Sequence, residues 1–85
     1  MFIVVLPKKV EKEFRHLSEE MQGRIVDVLT NLKTNPAPLN AKQLKGKLSG
    51  CRRIRLGHYR IIYEIIQQQK RIIILKIGPR KDVYR

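Results

Sequence analysis

Hydrophobic and polar positions along the chain follow first a strand-like pattern, then a helical one, then strands again. Residues 2–6, FIVVL, are an apolar run rich in β-branched side chains and stopped by Pro7, which predicts a strand. Residues 7–17 carry Val10, Phe14 and Leu17 at i, i+4 and i+7, one apolar stripe of a first helix. Ser18 followed by Glu19 and Glu20 predicts the start of a second helix. Its hydroxyl can accept from the free N–H groups there, and the acids sit at the positive end of the dipole. That helix is expected over 19–35, with Met21, Ile25, Val28, Leu29 and Leu32 on one face, Gly23 weakening it and Asn35-Pro36 ending it. With almost no loop between them, the two predict an αα-hairpin.

Residues 36–50, PAPLNAKQLKGKLSG, read as a linker, with Leu39, Leu44 and Leu48 expected to tack it to the core. Three strands are predicted after it, over 51–56, 59–67 and 71–77, with 78–85 as a tail. The order β-α-α-β-β-β implies one α+β domain over 1–85, a helical hairpin packed on one face of an antiparallel sheet.

The pattern also assigns faces. Gly57-His58 fits a two-residue hairpin loop with glycine first, the type II′ signal. That turn sets Leu56 against Tyr59, Arg55 against Arg60, Ile54 against Ile61 and Arg53 against Ile62. Directly opposed residues share a face. Ile54, Leu56, Tyr59, Ile61, Tyr63 and Ile65 then belong under the helices, and Arg53, Arg55 and Arg60 on the open face. In the last strand, burying Lys76 under the helices is unfavourable. An odd-numbered connection is therefore expected, placing Ile73, Leu75 and Ile77 in the core and Lys76 with the arginines. The far end of the open face would be apolar, near Ile62, Ile66, Ile72 and Ile74.

Charge sharpens this picture. The net charge is +12 over 85 residues. Residues 1–37 hold six basic and five acidic side chains, whereas 38–85 hold thirteen basic ones against Glu64 and Asp82. Such asymmetry points to a polyanion partner, nucleic acid first, with an acidic protein as the alternative. Arg55 opposite Arg60 is unfavourable for folding alone, and a bound anion would relieve it. Arginines bind phosphates bidentately and can stabilise charge developing on an attacked phosphodiester. RNA supplies its own nucleophile, the 2′-OH, so a proton acceptor, a proton donor and charge stabilisation suffice. Tyr84 and the turn residue His58 are the acid–base candidates; His16 reads as a helix-surface residue and Cys51 as a small strand residue. Glu64 reads as a solvated or paired carboxylate. No Cys/His grouping has metal-ligand spacing, so neither metal nor cofactor is expected. The longest apolar runs are too short to cross a membrane as a helix, and a cytoplasmic protein is expected.

The second half, LKGKLSGCRRIRLGHYRIIYEI, then a strand, then IGPRKDVYR, resembles the RelE family of the RelE/ParE toxin superfamily. The resemblance implies the toxin of a type II toxin–antitoxin pair, a ribosome-dependent mRNA endonuclease (mRNA interferase). In it the 2′-OH attacks the adjacent phosphate, leaving a 2′,3′-cyclic phosphate and a 5′-OH. Carried over by position, Arg60 and Arg80 stabilise the transition state and Tyr84 transfers a proton or stacks on a base. Arg53 and Arg55 match basic positions that bind or orient the RNA, and Lys76, Lys45 and Lys47 are expected to contact it beside them. Arg53 and Arg55 stand where lysine also occurs in the family, and arginine is the poorer proton-transfer group. The implied partners are a RelB-like antitoxin, the ribosome with its mRNA, and operator DNA through the antitoxin complex. Two other functions fit the same sequence: a ParE-like DNA gyrase inhibitor without nuclease activity, and a basic nucleic-acid-binding module.

Overall fold

The structure, a computed structural model, describes residues 1–79. Both helices form where the apolar stripes place them: α1 is Lys8–Arg15 and α2 is Glu19–Leu32. Ser18 Oγ accepts from the Met21 N–H at 3.2 Å, capping α2 as its hydroxyl predicts. Val10, Ile25, Leu29 and Leu32 are buried, with Phe14, Leu17, Met21 and Val28 packed against them. α2 stops at Leu32, before residue 35, and its last turn closes with Lys33 and Thr34 N–H bonds back to Thr30 and Asn31.

The sheet has five strands: β1 (Ile3–Val5), β2 (Lys42–Gln43), β3 (Cys51–Leu56), β4 (Tyr59–Ile66) and β5 (Arg71–Pro79), in the spatial order β1-β5-β4-β3-β2. The expected β3-β4-β5 meander is present. The sheet as a whole is mixed, because β1 pairs parallel with β5. β2 lies inside the stretch read as linker, where Lys42 and Gln43 pair with Arg53 and Arg52. Two residues are too few to show a period of two, so this strand exists only because β3 offers it an edge. Leu39 is fully exposed; Ala41 is the linker residue that enters the core. The Tyr63 hydroxyl donates to Pro36 O at 2.7 Å and fastens the linker there.

One face holds Ile54, Ile61, Tyr63, Ile72, Ile74 and Ile77 in the core under the helices, with Leu56 and Ile65 packed at its margin. Ile72 and Ile74 are corrections. The β4–β5 connection has an even four residues, 67–70, since Ile66 pairs with Arg71. Ile73 and Leu75 therefore point away from the helices. The register then shifts: Tyr63 pairs with Ile74, but Ile62 pairs with Lys76. Leu75 is the extra residue of a β-bulge and is 39% exposed. The bulge returns Ile77 to the core and keeps Lys76 out of it. Burying an ammonium costs several kcal/mol, whereas a bulge disrupts the ladder at one residue. The constraint on Lys76 holds, met within the strand and not in the loop.

Candidate nucleic-acid interface

The β3–β4 turn builds the open face. Gly57 has φ +60° and His58 is not left-handed, so only the first central residue takes positive φ, as a type II′ turn requires. The register is the predicted one, with Arg53 against Ile62 and Arg55 against Arg60. Arg53, Arg55 and Arg60 therefore share one face. Lys42, opposite Arg53 on β2, joins them. The linker reading missed it, since its only signal was its place beside a strand edge that sequence does not reveal.

The arginines differ in depth. Arg55 is exposed, whereas Arg60 is only 5% exposed. This separation eases the like-charge pairing. Arg60 Nη1 donates to Gly57 O at 3.1 Å and to Tyr59 O at 3.0 Å. Its Nε is buried without an acceptor. Among the described residues no carboxylate pairs with this guanidinium. A buried donor without an acceptor costs about 1–3 kcal/mol, and more where charge is involved. A bound anion would recover that loss. Ile62, beside Arg60 on the same face, is likewise buried at 2% exposure.

Lys76 lies on the open face, as expected, and sits opposite Ile62, but its charge is already engaged: its Nζ pairs with Glu13 of α1. Glu13 Oε1 also accepts from the Ile77 N–H at 3.4 Å. β1 pairs with β5 only through Ile73, so Glu13 takes over the edge where the parallel ladder ends. Its intermediate burial on α1 gave no hint of this contact 63 residues away. Lys45 and Lys47 are exposed on the β2–β3 connection. Arg80 and Tyr84 lie outside the described residues. The apolar end of the open face is formed by Ile66 and Ile73 with Val5 and Ile3 of β1, in place of Ile72 and Ile74.

His58 and His16 are exposed, in the turn and at the end of α1. Burial, then the Glu64 carboxylate, push the Cys51 thiol up, the opposite of an activated nucleophile. A cavity of about 330 Å³ lined by Gln43, Ser49, Gly50, Arg52, Ile65 and Gln67 lies at the end of β3 and β4 away from the Gly57 turn, apart from Arg60. No described helix is long and apolar enough to cross a membrane.

Known proteins share this fold. The family model described as ParE toxin of type II toxin–antitoxin system, parDE, matches residues 4–84. The RelE1 protein of Methanocaldococcus jannaschii is 32% identical over 99% of this chain and 96% of its own. In the solved archaeal RelE–RelB complex from Pyrococcus horikoshii OT3, a chain 31% identical superposes with a TM-score of 0.77, covering 93% of this chain and 94% of that one. The isolated RelE toxin of E. coli, at 22% identity, shares the fold with a TM-score of 0.81 over 99% of this chain and 92% of its own. A bulged sheet under a helical hairpin and a family match over almost the whole length lead to one assignment: this chain belongs to the RelE/ParE superfamily of type II toxin–antitoxin toxins.

Proposed function

We propose that this toxin is a ribosome-dependent mRNA endonuclease. The observation that carries the reading is Arg60: a guanidinium 5% exposed, held by two main-chain carbonyls and unpaired with any described acid, on a face shared with Arg53, Arg55 and Lys42. A fixed cation of this kind stabilises charge that develops on a phosphate without having to reorganise. The RNA 2′-oxygen attacks phosphorus, the bond to the 5′-oxygen breaks, and the products are a 2′,3′-cyclic phosphate and a 5′-OH. One group takes the 2′-OH proton and another protonates the leaving oxygen. Arg60 and Arg80 stabilise the transition state, and Tyr84 serves proton transfer or base stacking. Arg53, Arg55, Lys45 and Lys47 hold the RNA backbone, with a smaller share for Lys76 because Glu13 already neutralises it.

The site works in the cytoplasm, where its ribosomal substrate is, and a RelB-like antitoxin blocks it. The similar Pyrococcus chain was solved as a RelE–RelB complex, which supports that partner. Operator DNA is reached through the antitoxin complex. The ParE description of the matching family favours a second reading, inhibition of DNA gyrase by binding alone.

Induction in cells, followed by mapping of mRNA ends and measurement of DNA supercoiling, separates the two. Wild type is expected to cut mRNA on ribosomes. Arg60→Ala, verified as folded by its thermal transition, should cut about 10²–10³-fold more slowly, the usual effect of removing one preorganised charge-stabilising donor. Growth arrest with intact mRNA and altered supercoiling would overturn the endonuclease reading in favour of the gyrase one.

A further inference from the structure

We propose that Gly57 is a positioning residue: the β3–β4 turn orients the Arg60 guanidinium so that its Nε edge faces one RNA phosphate. The proposal rests on the endonuclease reading and adds the element that aims the arginine.

The geometry is specific. Nη1 carries two hydrogens, and both are used, on Gly57 O and Tyr59 O. The opposite edge, Nε with Nη2, is left. Nε is buried and has no acceptor, so a phosphate reaches it by displacing the side chains that cover it. That edge presents two parallel N–H groups, the arrangement that receives two phosphate oxygens together. The turn thus occupies one edge of the guanidinium and reserves the other.

Gly57 matters because its own carbonyl belongs to the central peptide of the turn. The orientation of that peptide separates one turn type from another. With φ at +60°, Gly57 directs its carbonyl toward Arg60. An L-residue avoids the positive φ with extended ψ that the first central position of a type II′ turn takes, and leaving that conformation reorients the carbonyl. No atom lies within 4 Å of a Cβ built at Gly57, so the effect of a side chain there is conformational and not steric. D-Alanine takes that conformation readily and valine does not, whereas asparagine prefers the left-handed ψ of a type I′ turn, in which the central peptide is flipped.

The test compares wild type, Gly57→Val and a chain with D-alanine at position 57, made by joining a synthetic 51–85 peptide at Cys51, each verified by its thermal transition, with Gly57→Ala replacing the valine variant should that one not fold. Single-turnover cleavage of ribosome-bound mRNA is measured at saturation, and affinity separately. Side-chain NMR follows the Arg60 Nε–H during titration with an RNA oligonucleotide made uncleavable by a 2′-deoxy sugar. Gly57→Val should lose about tenfold or more in rate with affinity within about threefold, the mark of a misaimed group and not of a missing one, and the D-alanine chain should keep most of the wild-type rate. The Nε–H signal should be sharp and RNA-responsive in wild type and the D-alanine chain, and altered in Gly57→Val. The proposal is overturned by a Gly57→Val that cleaves like wild type, by equal losses of rate and affinity, or by an Nε–H that RNA does not move. If wild type cleaves nothing, the endonuclease reading fails by itself. The NMR then decides the positioning alone: an Arg60 signal that depends on Gly57 sustains it, and one indifferent to Gly57→Val ends it.

Discussion

Tyr63 ties the core to the linker through one hydroxyl, and that bond has a pH signature. The ring is buried under the helices, and its OH donates to Pro36 O at 2.7 Å. Burial pushes its pKa up to about 12, against a smaller opposing pull from Arg52, its neighbour on β3. The folded state therefore holds the phenol proton more tightly than the unfolded one. Its contribution to stability is complete below the ordinary tyrosine range and is lost as pH rises from about 10 toward 12. Denaturant unfolding should find Tyr63→Phe about 1 kcal/mol less stable than wild type at pH 8, the usual worth of one hydrogen bond. The gap should close as pH rises above about 10 and reverse before pH 12, because a shift of this size outweighs one hydrogen bond; a gap independent of pH would show that Tyr63 does not titrate this way. The direction of Tyr63 was legible from alternation along its strand. Its partner, 27 residues away, was not. Arg60 divides the same way: its face followed from the turn, but its burial did not.

Among the elements, β5 decides most. Its sequence, RIIILKIGP, is apolar on both faces, so periodicity cannot locate its register. The placement of Lys76 on the open side follows from charge alone. Whether a loop or a bulge brings it there depends on the four-residue connection and on how β4 closes against β5. Glu13 then joins α1 to this strand through Lys76 and the Ile77 N–H. Glu13→Ala leaves a half-buried ammonium and a backbone donor without their acceptor, and should destabilise the fold by about 1–3 kcal/mol. A double-mutant cycle with Lys76→Ala should return a coupling of about 0.5–1 kcal/mol. Zero coupling would mean that the pair does not fix the strand.

Across the whole molecule, the charge asymmetry becomes a surface. The thirteen basic residues of the second half include those that β2, β3 and β4 place on one face, while the helical half stays near neutral. Binding of single-stranded RNA should therefore weaken with salt. Replacing Arg53 and Arg55 together by alanine should reduce the slope of log K against log salt by about 1.4, roughly 0.7 for each phosphate no longer neutralised. An unchanged slope would place the RNA elsewhere. Local pattern along the chain was enough to specify the helical hairpin, the antiparallel meander, the turn register and the shared face of Arg53, Arg55 and Arg60. Each follows from periodicity, capping or a two-residue turn. The parallel β1, the two-residue β2, the bulge at Leu75, the Glu13–Lys76 pair and the depth of Arg60 arose only in the assembled fold. These depend on which edges and faces meet after the chain has folded, and short-range pattern carries no record of such encounters.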